Sequence, residues 1–353
     1  MITSRHNLKK PTRGSLPILL RGEKHHYKKL SLVIFLSGIL FFLNVTAQQA
    51  PPLSKKQLPG VEDSLKVFSD SMINALSPIT RFRADSNFVR GLVRALKVKN
   101  SFHYPFDSLA GISRLYAPDS AFRIFTWQLK KDEYVFLQKG AIQVRTTDGS
   151  LKLFPLFDYS MYSAKPLDSV RSNNNWIGAI YYKVVLKEYR GVKYYTLIGF
   201  DDFNISSNKK WLEVLTFNNK QEPVFGGPFI SFKEDTLKKP VQSRFNIEYK
   251  KEASALLNYD KDLNLIIFDH LISESEEPEK KSTYIPDGSY EGFKWFGGQW
   301  VHVDRVFDFK LRDGEFPNDD KLRDDNGNID EKKLEEASEK NIEKAKQKKG
   351  SSK

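Results

Sequence analysis

The chain of 353 residues contains no cysteine, and that absence excludes more chemistry than any residue present adds. Disulfide frameworks, thiolate nucleophiles, cysteine-ligated zinc, iron–sulfur clusters and a lipidated N-terminal cysteine all need the missing residue. Histidine is scarce as well. Of six in the chain, only His103, His270 and His302 follow residue 47, and no two of these share the close spacing of a metal-ligand pair. There is no P-loop and no GxGxxG fingerprint. The run Gly288-Ser289-Tyr290-Glu291-Gly292 lacks the glycine spacing around serine that a nucleophile elbow demands. No motif asks for a cofactor, and none is expected.

With 40% hydrophobic and 28% charged residues, the chain has enough apolar material for a packed core, which rules out wholesale disorder and a polytopic membrane protein. The formal net charge of +12 would suggest a polyanionic partner, but its location argues otherwise. Residues 1–47 hold eight basic side chains and the single acid Glu23. The charge-free run LSLVIFLSGILFFLNVTA (30–47) follows, ending in the small-residue pattern Val45-Thr46-Ala47. This reads as a signal peptide over 1–47, cleaved before Gln48. The apolar run is short for a membrane span, so membrane contact is expected only through an uncleaved leader. The remaining chain carries about +5, an ordinary surface charge, and no nucleic-acid partner is expected.

Residues 48–60, rich in proline, glutamine and lysine, read as a flexible tether. Helical spacing follows at Val61, Leu65, Phe68, Met72 and Leu76, ending at Ser77-Pro78. A second helix is predicted from about Ser86, with Phe88, Val89, Leu92, Val93 and Leu96 on one face. After Tyr116 the period becomes two. Aromatic and β-branched runs succeed one another to Phe307, separated by turn signals such as Asp148-Gly149, Arg190-Gly191 and Gly297-Gly298. The expected fold class is α+β: amphipathic helices followed by one large antiparallel β-sheet, curled as a barrel or folded as a sandwich, in a single domain over 61–311. A charged tail, disordered or partly helical, is expected over 312–353.

Two groups of side chains qualify as candidate sites. Trp300, His302 and Asp304 alternate along one strand and so share a face that could meet a ligand. Asp202, Asn204, Ser206 and Asn208 place oxygens at alternate positions, with Glu213 at the twelfth place of a calcium loop, although the central glycine is missing. The tail segment 324–330 has the glycine but not the flanking ligands. Glu213, Glu248, Asp269, Glu291 and Asp304 lie in or near predicted strands and are the carboxylates from which a glycosidase pair would have to be drawn. The aromatic residues are explained by strand packing unless some stand exposed at one rim, where they would suit a glycan.

The phrases ISRLYAPDSAFRIFTWQL (112–129), YYTLIGFDD (194–202), KKWLEVLTF (209–217), PVFGGP (223–228), FDHL (268–271) and YIPDGSYEGFKW (284–295) resemble an uncharacterised group of exported proteins of Bacteroidota. The resemblance spans about 61–309 and implies export and a single β-rich unit. It implies no activity, ligand or catalytic residue. The sequence therefore leads to an exported protein of the periplasm or cell surface, a non-enzymatic binder of an envelope component or glycan. The alternative is a carboxylate-dependent hydrolase acting on envelope glycans, and a less favoured one an outer-membrane barrel.

Overall fold

A computed structural model describes residues 52–307, all within one compact unit. The leader over 1–47 and the tail over 312–353 lie outside the described residues. Helix α1 (Leu58–Asn74) carries proline near its start and buries Leu58, Leu65 and Met72 at helical spacing. It begins inside the stretch read as tether. Helix α2 (Pro78–Leu96) starts eight residues earlier than its apolar spacing predicts. Proline at the first helical position has its φ preset and needs no partner for an N–H, so the Ser77-Pro78 step opens α2, while α1 already ends at Asn74. No helix among the described residues is long and apolar enough to cross a membrane.

Fifteen strands follow among the described residues: β1 (Ser113–Tyr116), β2 (Phe122–Lys130), β3 (Phe136–Val144), β4 (Lys152–Phe157), β5 (Arg171–Ser172), β6 (Ile180–Tyr189), β7 (Val192–Asp201), β8 (Ser207–Phe217), β9 (Pro223–Phe225), β10 (Ile230–Ser231), β11 (Arg244–Lys250), β12 (Leu257–Asp260), β13 (Leu265–Ser273), β14 (Tyr284–Phe296) and β15 (Gln299–Val303). The class is α+β, but the single large sheet is not what forms. Three open sheets form instead: β1-β2-β3-β4; β5-β9-β8-β7-β6 with β11 also on β8; and β10-β15-β14-β13-β12. We call them the first, second and third sheets. None closes on itself among the described residues, so the barrel expectation is corrected.

The physical reason lies in strands apolar on both faces. On β2, Phe125, Trp127 and Leu129 pack under the helices, while Phe122 and Ile124 face the second sheet. On β7 and β8, Leu197, Trp211 and Leu215 face the first sheet, while Ile198, Leu212 and Val214 face the third. A strand with two buried faces must lie between two layers. The order of layers is thus helices, first sheet, second sheet, third sheet, with a cluster of buried apolar side chains at each interface. Each fully buried large side chain contributes roughly 1.5–3 kcal/mol to that stacking.

Two local corrections follow. The run 224–230, read as one strand, is broken by Gly226 and Gly227, both at positive φ, into β9 and β10. The short β10 then pairs parallel to β15, an exception to the expected antiparallel sheet.

Candidate functional site

Chain reversals place an open cleft at one end of the first and second sheets. The link between β1 and β2, the β3–β4 hairpin, the β6–β7 hairpin and the β8–β9 turn all reverse at this end, and the segment after α2 reaches it through Asn100 and His103. They enclose a cleft of about 840 Å³, within the range of small-molecule sites. Loops at the end of a stacked-sheet scaffold vary freely over a fixed frame, which is why such ends carry recognition. The turns themselves are legible in the residues. Arg190 and Gly191 both have positive φ, at 51° and 76°, the requirement of a two-residue hairpin turn. Asn100, Ser120 and Gln221, which line the cleft, are three of the seven non-glycine residues with positive φ among those described. Such conformations persist only where surrounding bonds impose them. Asn100 N donates to Gly149 O at 2.9 Å, and Ser120 N donates to Ala117 O at 2.8 Å.

The cleft's chemistry centres on Asp119. Its Oδ1 accepts from Ala121 N at 3.2 Å, while Oδ2 accepts from Lys193 Nζ at 2.8 Å and from the Tyr195 hydroxyl at 2.9 Å. Partial burial pushes the Asp119 pKa up, but the bonds from Lys193, Ala121 and Tyr195 outweigh it and hold the carboxyl below its usual range. Tyr195 is itself buried, edge-on to Phe122 and Phe217, so its phenol is fixed; burial and the facing carboxylate raise its pKa. Arg145 and His103 stand exposed on the same wall, and no described residue hydrogen-bonds or ion-pairs with the Arg145 guanidinium. Among the described residues, Asp119 is the only carboxylate lining the cleft. Glycoside hydrolysis needs two flanking the bond, one of them able to hold a proton. Asp119 alone, ionised and holding three hydrogen bonds, suits binding better than acid catalysis.

Of the sequence candidates, Trp300, His302 and Asp304 do not form one ligand face. Trp300 is fully buried between the second and third sheets, where its Nε1 donates to Thr196 Oγ1 at 2.8 Å. Asp304 lies exposed beyond the end of β15. His302 is buried among Phe232, Phe268 and Phe293, and both ring nitrogens meet carboxylates: Nδ1 to Asp235 Oδ1 at 2.8 Å and Nε2 to Glu291 Oε2 at 2.7 Å. Ionised carboxylates only accept, so two of them against one ring favour its doubly protonated form. Burial alone would lower its pKa, but the two acids reverse that and raise it. The other oxygen of Glu291 bonds His270 Nδ1, aimed there by a bulge between Asp269 and Leu271. Among the described residues, no group of three or more histidine or acidic side chains could hold a metal ion.

In the loop carrying Asp202, Asn204, Ser206 and Asn208, the oxygens of Asp202 and Asn204 are occupied from within, whereas Asn208 Oδ1 is buried without a partner among the described residues. The Lys251 ammonium bonds Asp202 Oδ1 and donates to Asn204 O at 2.8 Å, taking the place a calcium ion would need. Asn204 Oδ1 accepts from Ser206 N and Ser207 N, a turn closed on its own backbone, and Asn208 Nδ2 donates to Lys251 O. Glu213, the twelfth position of the loop, is buried elsewhere, bonded to Arg244 and to the Tyr181 hydroxyl.

Asp201 marks a feature that sequence reasoning missed. It is buried between the first and second sheets, accepts from Gln138 Nε2 at 2.8 Å, and burial pushes its pKa up to about 7. Its neighbour in space, Asp158, adds to that shift. Gly178 makes the approach possible, since a Cβ there would lie 2.2 Å from Gln138. Comparison with protein-family models, curated proteins and solved structures finds no match.

Proposed function

We propose that this chain is an exported, non-enzymatic binding protein of the cell envelope, and that its ligand, a glycan or other polar envelope component, seats in the cleft at the turn end of the first and second sheets. The export reading rests on the leader and on the sequence resemblance to exported proteins. The binding reading rests chiefly on one observation: a roomy cleft rich in hydroxyl, amide and cationic groups, in which the only carboxylate among the described residues is paired with a lysine. Thr147 lines the cleft and is exposed, so Thr147→Trp fills the space without touching the core. Titration against solubilised envelope glycans should show binding by the wild type and at least a tenfold loss in T147W, with unchanged thermal stability. Equal binding by both would remove the cleft from consideration. Fractionation checks export, with a mature N-terminus at Gln48 expected and a purely cytoplasmic pool against it.

A second reading, hydrolysis, draws on the third sheet, where Glu291 orients a half-exposed His270 whose Nε2 lies 3.9 Å from Asp287. A positioned imidazole beside carboxylates can act as a general base. Turnover of envelope glycans that is lost in His270→Asn would favour it over simple binding.

A further inference from the structure

We infer that the cleft selects a ligand bearing an anionic group, a carboxylate or a phosphate, and that Asp119 occupies on Lys193 the position this group takes. This rests on the reading of the cleft as the ligand seat. Among the described residues lining it, Lys193 and Arg145 are cations, whereas Asp119 is the lone anion. The nearby acids are committed or set back. Asp148, in the same hairpin as Arg145, accepts from Ser150 N at 3.0 Å and Ser150 Oγ at 2.7 Å. Glu188, paired with Lys193 across β6 and β7, affects Lys193 less than Asp119 does.

Asp119 is held in place by two groups that do not depend on its charge. Ala121 N fixes Oδ1 and the buried Tyr195 hydroxyl fixes Oδ2. Lys193 is the third partner, and it is half exposed on a four-carbon stem that can turn to another anion without disturbing the backbone. Arg145 is free to supply a planar, two-pronged contact to the same anion. An incoming carboxylate or phosphate therefore competes with Asp119 for Lys193 and gains Arg145, while a neutral ligand gains neither.

Asp119→Asn keeps an oxygen for Ala121 N and a polar partner for Tyr195, and removes only the competing charge. It should tighten anion binding about two- to fivefold, the scale of an exposed ion pair. Arg145→Gln should weaken binding about tenfold and flatten its salt dependence, since a charge-assisted contact is lost. Calorimetric titration uses three probes: a uronic-acid oligosaccharide, a neutral oligosaccharide of equal length, and inorganic phosphate. Preference for the uronate over the neutral sugar, with both variant effects, supports a carboxylate ligand. The same pattern with phosphate alone supports a phosphate. Equal binding of neutral and acidic sugars, blocked by T147W, overturns anion selection while leaving the cleft as the seat. Weaker anion binding in D119N, or no response to either anion, also overturns it.

Discussion

The turn end of the first and second sheets and the inner face of the third both gather ionisable side chains, and they treat them in opposite ways. On the third sheet, Asp235, His302, Glu291 and His270 form a chain in which each member meets a partner and His302 is sealed by three phenyl rings. Between the first two sheets, Glu213 and Arg244 are likewise enclosed, with Arg244 also donating to Pro166 O and Ser169 O. At the turn end, Lys193 is half exposed and Arg145 has no partner among the described residues. Closed charge networks hold layers together; open ones are left to bind. The contrast places recognition where bonding is incomplete and stability where it is saturated.

The comparison breaks most sharply at Glu213. Glu213→Ala leaves Arg244 buried without its acid and should cost about 3–5 kcal/mol in urea unfolding. A loss under 1 kcal/mol would mean the network is dispensable. Asp201→Asn should act in the opposite direction. Its folded pKa of about 7 exceeds the ordinary 3.8, so the folded state favours the protonated form, and stability falls as pH rises between those values. The variant should be more stable than wild type at pH 8, on the order of 2–4 kcal/mol, and nearly equal at pH 3.5. A gain that does not vary with pH would refute the buried-acid explanation.

His302 should show the same sign by a different route. Its folded pKa is raised above the usual 6.5, so its contribution is complete below that value and declines as pH rises through the elevated one. The pH slope of unfolding in the alkaline limb should flatten in His302→Phe. Lys251→Met should cost only about 1 kcal/mol, because the ammonium is partly exposed, and calcium should not restore the loss. Rescue by calcium would revive the loop as an ion site. Smallest of all is Arg145→Gln, which should leave stability within about 0.5 kcal/mol of wild type, since nothing rests on that guanidinium.

Much of the scaffold was legible along the chain. Period-two runs marked most strands, and the Asp148-Gly149 and Arg190-Gly191 signals located two turns that wall the cleft. Layering was not legible: LEVL in β8 carries Glu213 in its middle, and only the structure shows the strand buried on both faces. What stayed hidden is relative placement. Nothing near Asp119 announces Lys193 or Tyr195, more than seventy residues away, and alternation put Trp300 and His302 on one face without saying that a second layer covers it. Oxygen spacing alone made the Asp202 loop look like a cation site, because the cation that fills it, Lys251, arrives from the end of β11.

The most direct measurement is a calorimetric titration of wild type and T147W with the same envelope-derived ligand. Saturable binding by the wild type and at least a tenfold weaker response from an equally stable T147W is the expected result. Indistinguishable isotherms would contradict the assignment of recognition to the turn end.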